Sequence, residues 1–265
     1  MRFVSIVFAL FLAGCASVEK APPAAVKDLA PTGKLRAAIN YGNPVLASRG
    51  PNGEAQGVSV DLARELAKRL GVPLEVVPFQ AAGKVVEAGR AGVWDIAFVA
   101  LDPARAQEIE QSPPYVVIEG AYLVRENSPI RDNREVDRAG NRVVVGPRSA
   151  YDLYLQRNLK QAKIVHAPGS PQVVDFFLKG DYEVAAGVKQ QLQADAKKNP
   201  GVRLLPGRFM VINQAMASQR GKRDGAQYVR AFIEEMKAAG FVAQALERHR
   251  IQGAAVAPRG DAAPD

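Results

Sequence analysis

The chain has 265 residues, 48% hydrophobic and 23% charged, the composition of one large or two modest globular domains and not of a disordered or coiled chain. A single Cys excludes an internal disulfide framework and a Cys-based zinc cluster, and two His, at 166 and 249, leave little for a His-rich metal site, so neither a metal nor another cofactor is expected. The net charge is +8, but the basic residues are scattered; the densest run, Arg220-Gly221-Lys222-Arg223, is followed at once by Asp224, which reads as a solvated surface and not as a nucleic-acid stripe.

Met1-Arg2 opens the chain with a charge, and residues 3–12 are apolar except Ser5. Such a run is too short to span a bilayer, which needs about twenty residues, and it fits the apolar region of a secretory signal peptide over residues 1–14. It ends in Leu12-Ala13-Gly14-Cys15. This stretch resembles a bacterial lipoprotein signal. The resemblance implies cleavage before Cys15, lipid on its sulfur, and a periplasmic protein held to a membrane by several acyl chains. Ala16 after the Cys leans, by the same resemblance, toward the outer membrane. Residues 15–33, with Pro22, Pro23 and Pro31, read as a tether.

Leu35–Asn40 reads as a strand closed by a Gly42-Asn43-Pro44 turn. Leu62, Leu66 and Leu70, flanked by Ala63 and Ala67, mark one face of a helix. Ser59 is its expected N-cap, with Asp61 near the positive end, Lys68 and Arg69 near the negative end, and Gly71 as its stop. A strand at 74–79, a helix at 84–90 and a buried strand at 95–101 follow. This β-α alternation predicts a mostly parallel α/β sheet. After a strand at 121–125 and a polar stretch at 127–140, the rhythm restarts. Strands fall at 142–146, 163–166, 184–187 and 202–205, with helices at 150–159 and 171–179 and another running through Lys198. Residues 208–217 are extended, and Val229, Phe232, Ile233 and Met236 mark a last long helix, broken at Gly240 before a short one to about Arg250. The Ala/Pro/Gly-rich 252–265 is expected to be disordered.

The pattern gives two α/β lobes: residues 34–120 with 213–251, and residues 121–212. Ala121–Arg125 and Arg208–Ala217 are the two crossing strands of a hinge. Ligands in such folds bind in the crevice beyond the carboxyl ends of the strands, and two hinged lobes place that crevice between them.

Gly57-Val58-Ser59-Val60-Asp61-Leu62-Ala63-Arg64-Glu65-Leu66, Trp94-Asp95-Ile96-Ala97 with Asp102-Pro103-Ala104-Arg105, and Ser112-Pro113-Pro114-Tyr115 together resemble the family 3 extracellular solute-binding proteins of the polar amino-acid type, served by ABC importers. The resemblance covers about residues 34–250. It implies a type II periplasmic-binding-protein fold, with each lobe a mostly parallel sheet flanked by helices. It also implies a monomer that hands a small polar solute to an ABC-importer permease.

Carried over by position, Tyr41 and Asn43 follow the first strand, where a ring covers the ligand and an amide bonds it. Ala100 and Asp102 lie on the loop leading to Arg105, which matches the residue that grips the ligand α-carboxylate; a planar guanidinium suits that anion. Asp102 replaces the usual Ser or Thr and is placed to pair with Arg105 or to cap the next helix. Ser149 and Ala150 match a small polar loop at a helix N-terminus. Lys189 stands where the family often has an Asp for the ligand ammonium. Lys repels an ammonium, so Lys189 with Arg105 is expected to favour an anionic solute, an amino acid or organic acid bearing a carboxylate. The alternatives are a cleft dehydratase acting on a cyclic carboxylic acid with Glu119 or Asp102 as its acid, a ligand-sensing lipoprotein, and a lipoprotein that serves only as a structural partner.

Overall fold

A computed structural model describes residues 20–260. The signal segment and Cys15 lie outside the described residues. The elements run α1 (Pro23–Leu29), β1 (Leu35–Asn40), β2 (Ser48–Arg49), β3 (Ala55–Gln56), α2 (Val58–Leu70), β4 (Leu74–Phe79), α3 (Ala82–Gly89), β5 (Ile96–Ala100), α4 (Pro103–Ala106) and β6 (Ile109–Arg125). They continue with β7 (Arg142–Val145), α5 (Ala150–Asn158), β8 (Lys163–His166), α6 (Val173–Lys179), β9 (Val184–Val188), α7 (Lys189–Lys198), β10 (Val202–Leu204), β11 (Met210–Gln219), α8 (Arg223–Ala238), α9 (Phe241–Arg248) and β12 (Ala255–Val256).

The strands are ordered β4-β1-β5-β11-β6-β9-β7-β8, and β10 and β12 also pair with β6. In the first lobe β4, β1 and β5 are parallel, and β11 returns antiparallel between β5 and β6. In the second lobe β9, β7 and β8 are parallel, and β6 runs antiparallel to β9. The long β6 belongs to both lobes. Its residues 109–120 pair with β11, and its residues 120–125 pair with β9 and β10. The first crossing strand therefore begins well before the expected 121, because Ser112, Pro113 and Pro114 are carried in an irregular stretch of the β6–β11 ladder and do not end the strand.

In α2, Leu62, Leu66, Ala63 and Ala67 are buried as the periodicity requires, and Gly71 closes the helix in the left-handed conformation at φ 69°. The helix starts differently from the expectation. Gly57, at φ 120°, is its N-cap, and the Cβ of any other residue there would collide with the Leu46 carbonyl. Ser59 lies inside the first turn, and its hydroxyl hydrogen-bonds that of buried Tyr115 at 3.0 Å. Helices α8 and α9 return to the first lobe, where Val229, Phe232, Ile233 and Met236 are buried, and α8 packs on β6, β11 and α1.

One device recurs in both lobes. In β1, Arg36 donates from its backbone N–H and Nε to one oxygen of Asp95 and from Nη2 to the other, at 2.8, 3.0 and 2.7 Å. In β7, Arg142 makes the same three bonds to Glu183 at 2.7, 3.0 and 2.7 Å. Each acid immediately precedes the parallel neighbour, β5 or β9, so each clasp pins the register at the amino ends of the strands, away from the cleft.

Two stretches read from composition as unstructured are built into the fold. Residues 23–29 of the expected tether form α1, whose Ala25 and Leu29 are buried; Asp28 accepts the Gly225 N–H at 3.1 Å. In the expected disordered tail, β12 pairs with Val116 and Val117 on the edge of β6 that β11 leaves open, and Lys237 Nζ donates to the Pro258 carbonyl at 2.7 Å. Pro and Ala do not prevent order where a preformed edge supplies the hydrogen-bonding partners.

Candidate ligand cleft between the lobes

The carboxyl ends of β1, β5, β7 and β9 converge on a cleft. Its inner compartment offers about 40 Å³ to the centres of water-sized groups. At roughly 10–15 Å³ per water on that measure, this holds three or four such groups. The first lobe contributes Asn40, Asn43, Ala100 and Arg105, the second Ser149, Ala150, Tyr151, Ser170 and Gln191, and crossing strand β11 contributes Gln214. Among the described residues, no Asp or Glu lines this compartment. An outer chamber of about 600 Å³ lies at residues flanking the same loops, among them Ala81, Gly83, Pro147, Arg148 and Pro171.

Arg105 is 3% exposed. Its Nη1 donates to the Ala100 carbonyl of its own lobe and its Nη2 to the Arg148 carbonyl of the other, both at 3.0 Å. It forms no ion pair with an acid among the described residues. Burial therefore pushes its pKa down to about 10, against the attraction of Asp102. Arg148 has a left-handed backbone, φ 55°, a costly conformation for a non-glycine residue at the position whose carbonyl meets Arg105.

Asp102 does not line the compartment. Its Oδ1 caps α4 by accepting the Ala104 N–H at 2.9 Å, and its Oδ2 pairs with Arg157 of α5 at 2.8 Å. The capping role expected of it is present, but its ion-pair partner is Arg157 of the opposite lobe and not Arg105. Asn43 lines the compartment, and its Oδ1 is buried without a partner. Ser149 is the N-cap of α5, accepting the Asp152 N–H at 3.1 Å, and Ala150 begins that helix.

Two residues lie elsewhere. Tyr41 faces a surface hollow with Leu74 and Val76, under the Arg49 guanidinium at 4.6 Å; strand alternation sends Asn40 toward the cleft and Tyr41 away from it. Lys189 Nζ donates to Glu119 Oε2 at 2.7 Å, and the other oxygen of Glu119 accepts from Arg208 at 2.8 Å. At the start of α7, Val188 and Gln191 face the compartment and Lys189 does not. Its charge is spent beside the hinge, which removes one of the two cations on which the anionic preference rested. Glu119, flanked by two cations, is held below the ordinary carboxylate range, so it is not poised as the acid of the dehydratase alternative.

Sequence reasoning missed Asn40, Tyr151, Ser170, Gln191 and Gln214. Gln214 carried a readable signal: with Asn213 it puts amides between Ile212 and Ala215-Met216-Ala217, and Gln214 takes a buried position in the strand, where its Cα pairs with Ala100. Tyr151 carried none. Its buried hydroxyl meets Ser149, Ser170 and the Gly146 backbone, and burial raises its pKa.

Two α/β lobes on paired crossing strands, closing a small polar compartment around an unpaired guanidinium, define a solute-binding protein. The chain belongs to the bacterial extracellular solute-binding proteins, family 3, whose model matches residues 35–251. It is similar to the solute receptor for L-cysteine of Neisseria gonorrhoeae, with 26% identity and a TM-score of 0.73, over 84% of this chain and 92% of that one. It shares its fold with a putative binding component of an ABC transporter from Wolinella succinogenes complexed with lysine, at 21% identity and TM-score 0.71, over 82% and 95% of the two chains. It also shares it with an ancestral amino-acid-binding protein described as a precursor of cyclohexadienyl dehydratase, at 21% identity and TM-score 0.71, over 84% and 98%. Among curated proteins, membrane-bound lytic murein transglycosylase F of Aeromonas hydrophila is 29% identical over 153 residues, 57% of this chain. The chain spans only 30% of that relative's length.

Proposed function

We propose that this protein captures a small carboxylate-bearing solute, an amino acid or organic acid, between its lobes and presents it to the permease of an ABC importer. It does so as a periplasmic monomer held to a membrane, the outer one by preference, through lipid on Cys15. The observation that carries the carboxylate reading is Arg105: a buried cation facing the compartment, bound only by carbonyls, one from each lobe. Its burial opposes the charge, and a ligand carboxylate offsets that cost by two parallel charge-assisted bonds. Because the guanidinium also joins the lobes, a bound anion favours the closed arrangement by its differential affinity for it. The Leu12–Cys15 box and the family's extracellular character support the anchored, periplasmic reading.

Calorimetric titration of the protein with a panel of amino and organic acids tests this. Arg105→Ala is expected to weaken the best binder by at least about thirtyfold, the loss of about 2 kcal/mol or more typical of a buried charge pair. Arg105→Lys is expected to recover only part of it, since an ammonium lacks the planar fork. Unchanged affinity in Arg105→Ala refutes the carboxylate reading. For the anchor, Cys15→Ser is expected to release the protein from membrane fractions.

A further inference from the structure

Building on the carboxylate reading above, we infer that the solute is an amide-linked carboxylate, an N-acylated amino acid or the carboxyl end of a short peptide, with its carboxylate at Arg105 and its uncharged body in the outer chamber. Three observations meet here. The first is size. The inner compartment, about 40 Å³, takes a carboxylate, an α-carbon and little more, whereas the outer chamber has about 600 Å³. The two follow the same three loops: Ala82, Ser149 and Ser170 face inward, and Ala81, Arg148 and Pro171 line the outer side. A solute anchored at Arg105 therefore has its remaining bulk directed outward.

The second is charge. Among the described residues the inner lining contains Arg105 and no Asp or Glu, so a free α-ammonium would sit near a guanidinium with no counter-charge from the wall. The third is Asn43, an uncharged amide on the inner wall whose side chain makes no hydrogen bond among the described residues. A neutral amide suits the N–H and carbonyl of a secondary amide, which brings no charge to bury. The outer wall offers Ala81, Pro147, Pro168 and Pro171 to an apolar body, and its charged members, Lys84, Glu87 and Arg148, have half or more of their side chains in solvent.

The test is titration of the intact protein with L-alanine, L-lysine, N-acetyl-L-alanine, N-hexanoyl-L-alanine and L-alanyl-L-alanine. N-acetyl-L-alanine is expected to bind at least about tenfold tighter than L-alanine, and the hexanoyl form about tenfold tighter again, a fraction of what full burial of four methylenes yields. Ala81→Trp and Gln172→Trp, on opposite walls of the outer chamber, are each expected to abolish the gain from acyl to hexanoyl, with melting curves confirming that both variants fold. Equal binding of L-alanyl-L-alanine and N-acetyl-L-alanine assigns a peptide end; weaker binding of the dipeptide assigns an acyl amino acid. L-alanine or L-lysine binding as tightly as the acylated forms overturns this inference and leaves the carboxylate reading intact, as does a chain-length gain that survives both variants. If no carboxylate binds at all, the carboxylate reading itself falls.

Discussion

Arg157→Ala tests whether the lobes are held together by their own side chains as well as by solute. Arg157 on α5 pairs at 2.8 Å with Asp102 on the opposite lobe. The two partners differ in environment: the Asp102 side chain is 3% exposed and the Arg157 side chain 46%. A fully exposed pair contributes about 0–1 kcal/mol, and a fully buried charge stripped of its partner costs about 3–5 kcal/mol. This pair lies between, nearer the lower limit, because Asp102 keeps its bond to the Ala104 N–H and regains water when the lobes part. The variant is therefore expected to destabilise the closed arrangement by about 1–2 kcal/mol, a factor of about five to thirty. Two readings together capture it: affinity by calorimetry, and lobe separation by solution scattering with and without solute. If the free protein rests open, the loss appears as a weaker Kd; if it rests closed, as an opening of the free protein. Raising the salt concentration is expected to shrink the difference between variant and parent, since the Arg157 end is in solvent. Unaltered affinity and unaltered lobe separation at low salt refute the latch.

Asp95→Ala is expected to cost about 2–3 kcal/mol in urea unfolding, because it strips three bonds from Arg36, whose side chain keeps some contact with water. Glu183→Ala, in the matching clasp with both partners about a third exposed, is expected to cost only about 1 kcal/mol, and equal losses contradict the burial argument. Leu66→Ala, at a fully buried position of α2, is expected to cost about 2–5 kcal/mol by the same measurement. Glu119 has its pKa depressed below 4.5 by Lys189 and Arg208. Its stabilising contribution is therefore complete above about pH 4.5 and lost as the pH falls through the depressed value. Melting temperature against pH is expected to fall less steeply on the acid side in Glu119→Gln than in the parent. Ending the chain after Gly253 removes the β12–β6 pairing and the Lys237–Pro258 bond. It is expected to lower the melting temperature, and no change would show that this segment is a passive tail.

The alternation of strand and helix was legible because each element carries its own periodicity. Leu62, Leu66 and Leu70 face one way on any helix, and the buried run Ile96–Ala100 admits only a central strand. The position of Arg105 was legible through its motif, and so was the capping role of Asp102, which needs only the following two residues. What escaped depends on partners distant in sequence. The Arg36–Asp95 and Arg142–Glu183 clasps join residues 59 and 41 positions apart, and neither half carries a pattern of its own. Residues 23–29, flanked by Pro22 and Pro31, and the 252–258 stretch look unstructured from composition, and are ordered because α8 and an open edge of β6 receive them.

Lys189 and Tyr41 show where the boundary lies. The sequence by itself determined that a charged residue follows β9 and an aromatic one follows β1. Only the tertiary structure decided that Glu119 draws Lys189 to the hinge and Arg49 covers Tyr41 on an outer face, leaving Val188, Gln191 and Asn40 to line the cleft. Secondary structure follows from short-range periodicity written along the chain. The direction of a side chain at the end of a strand turns on which face of the alternation the fold sets against the cleft and on which opposite charge it brings within reach.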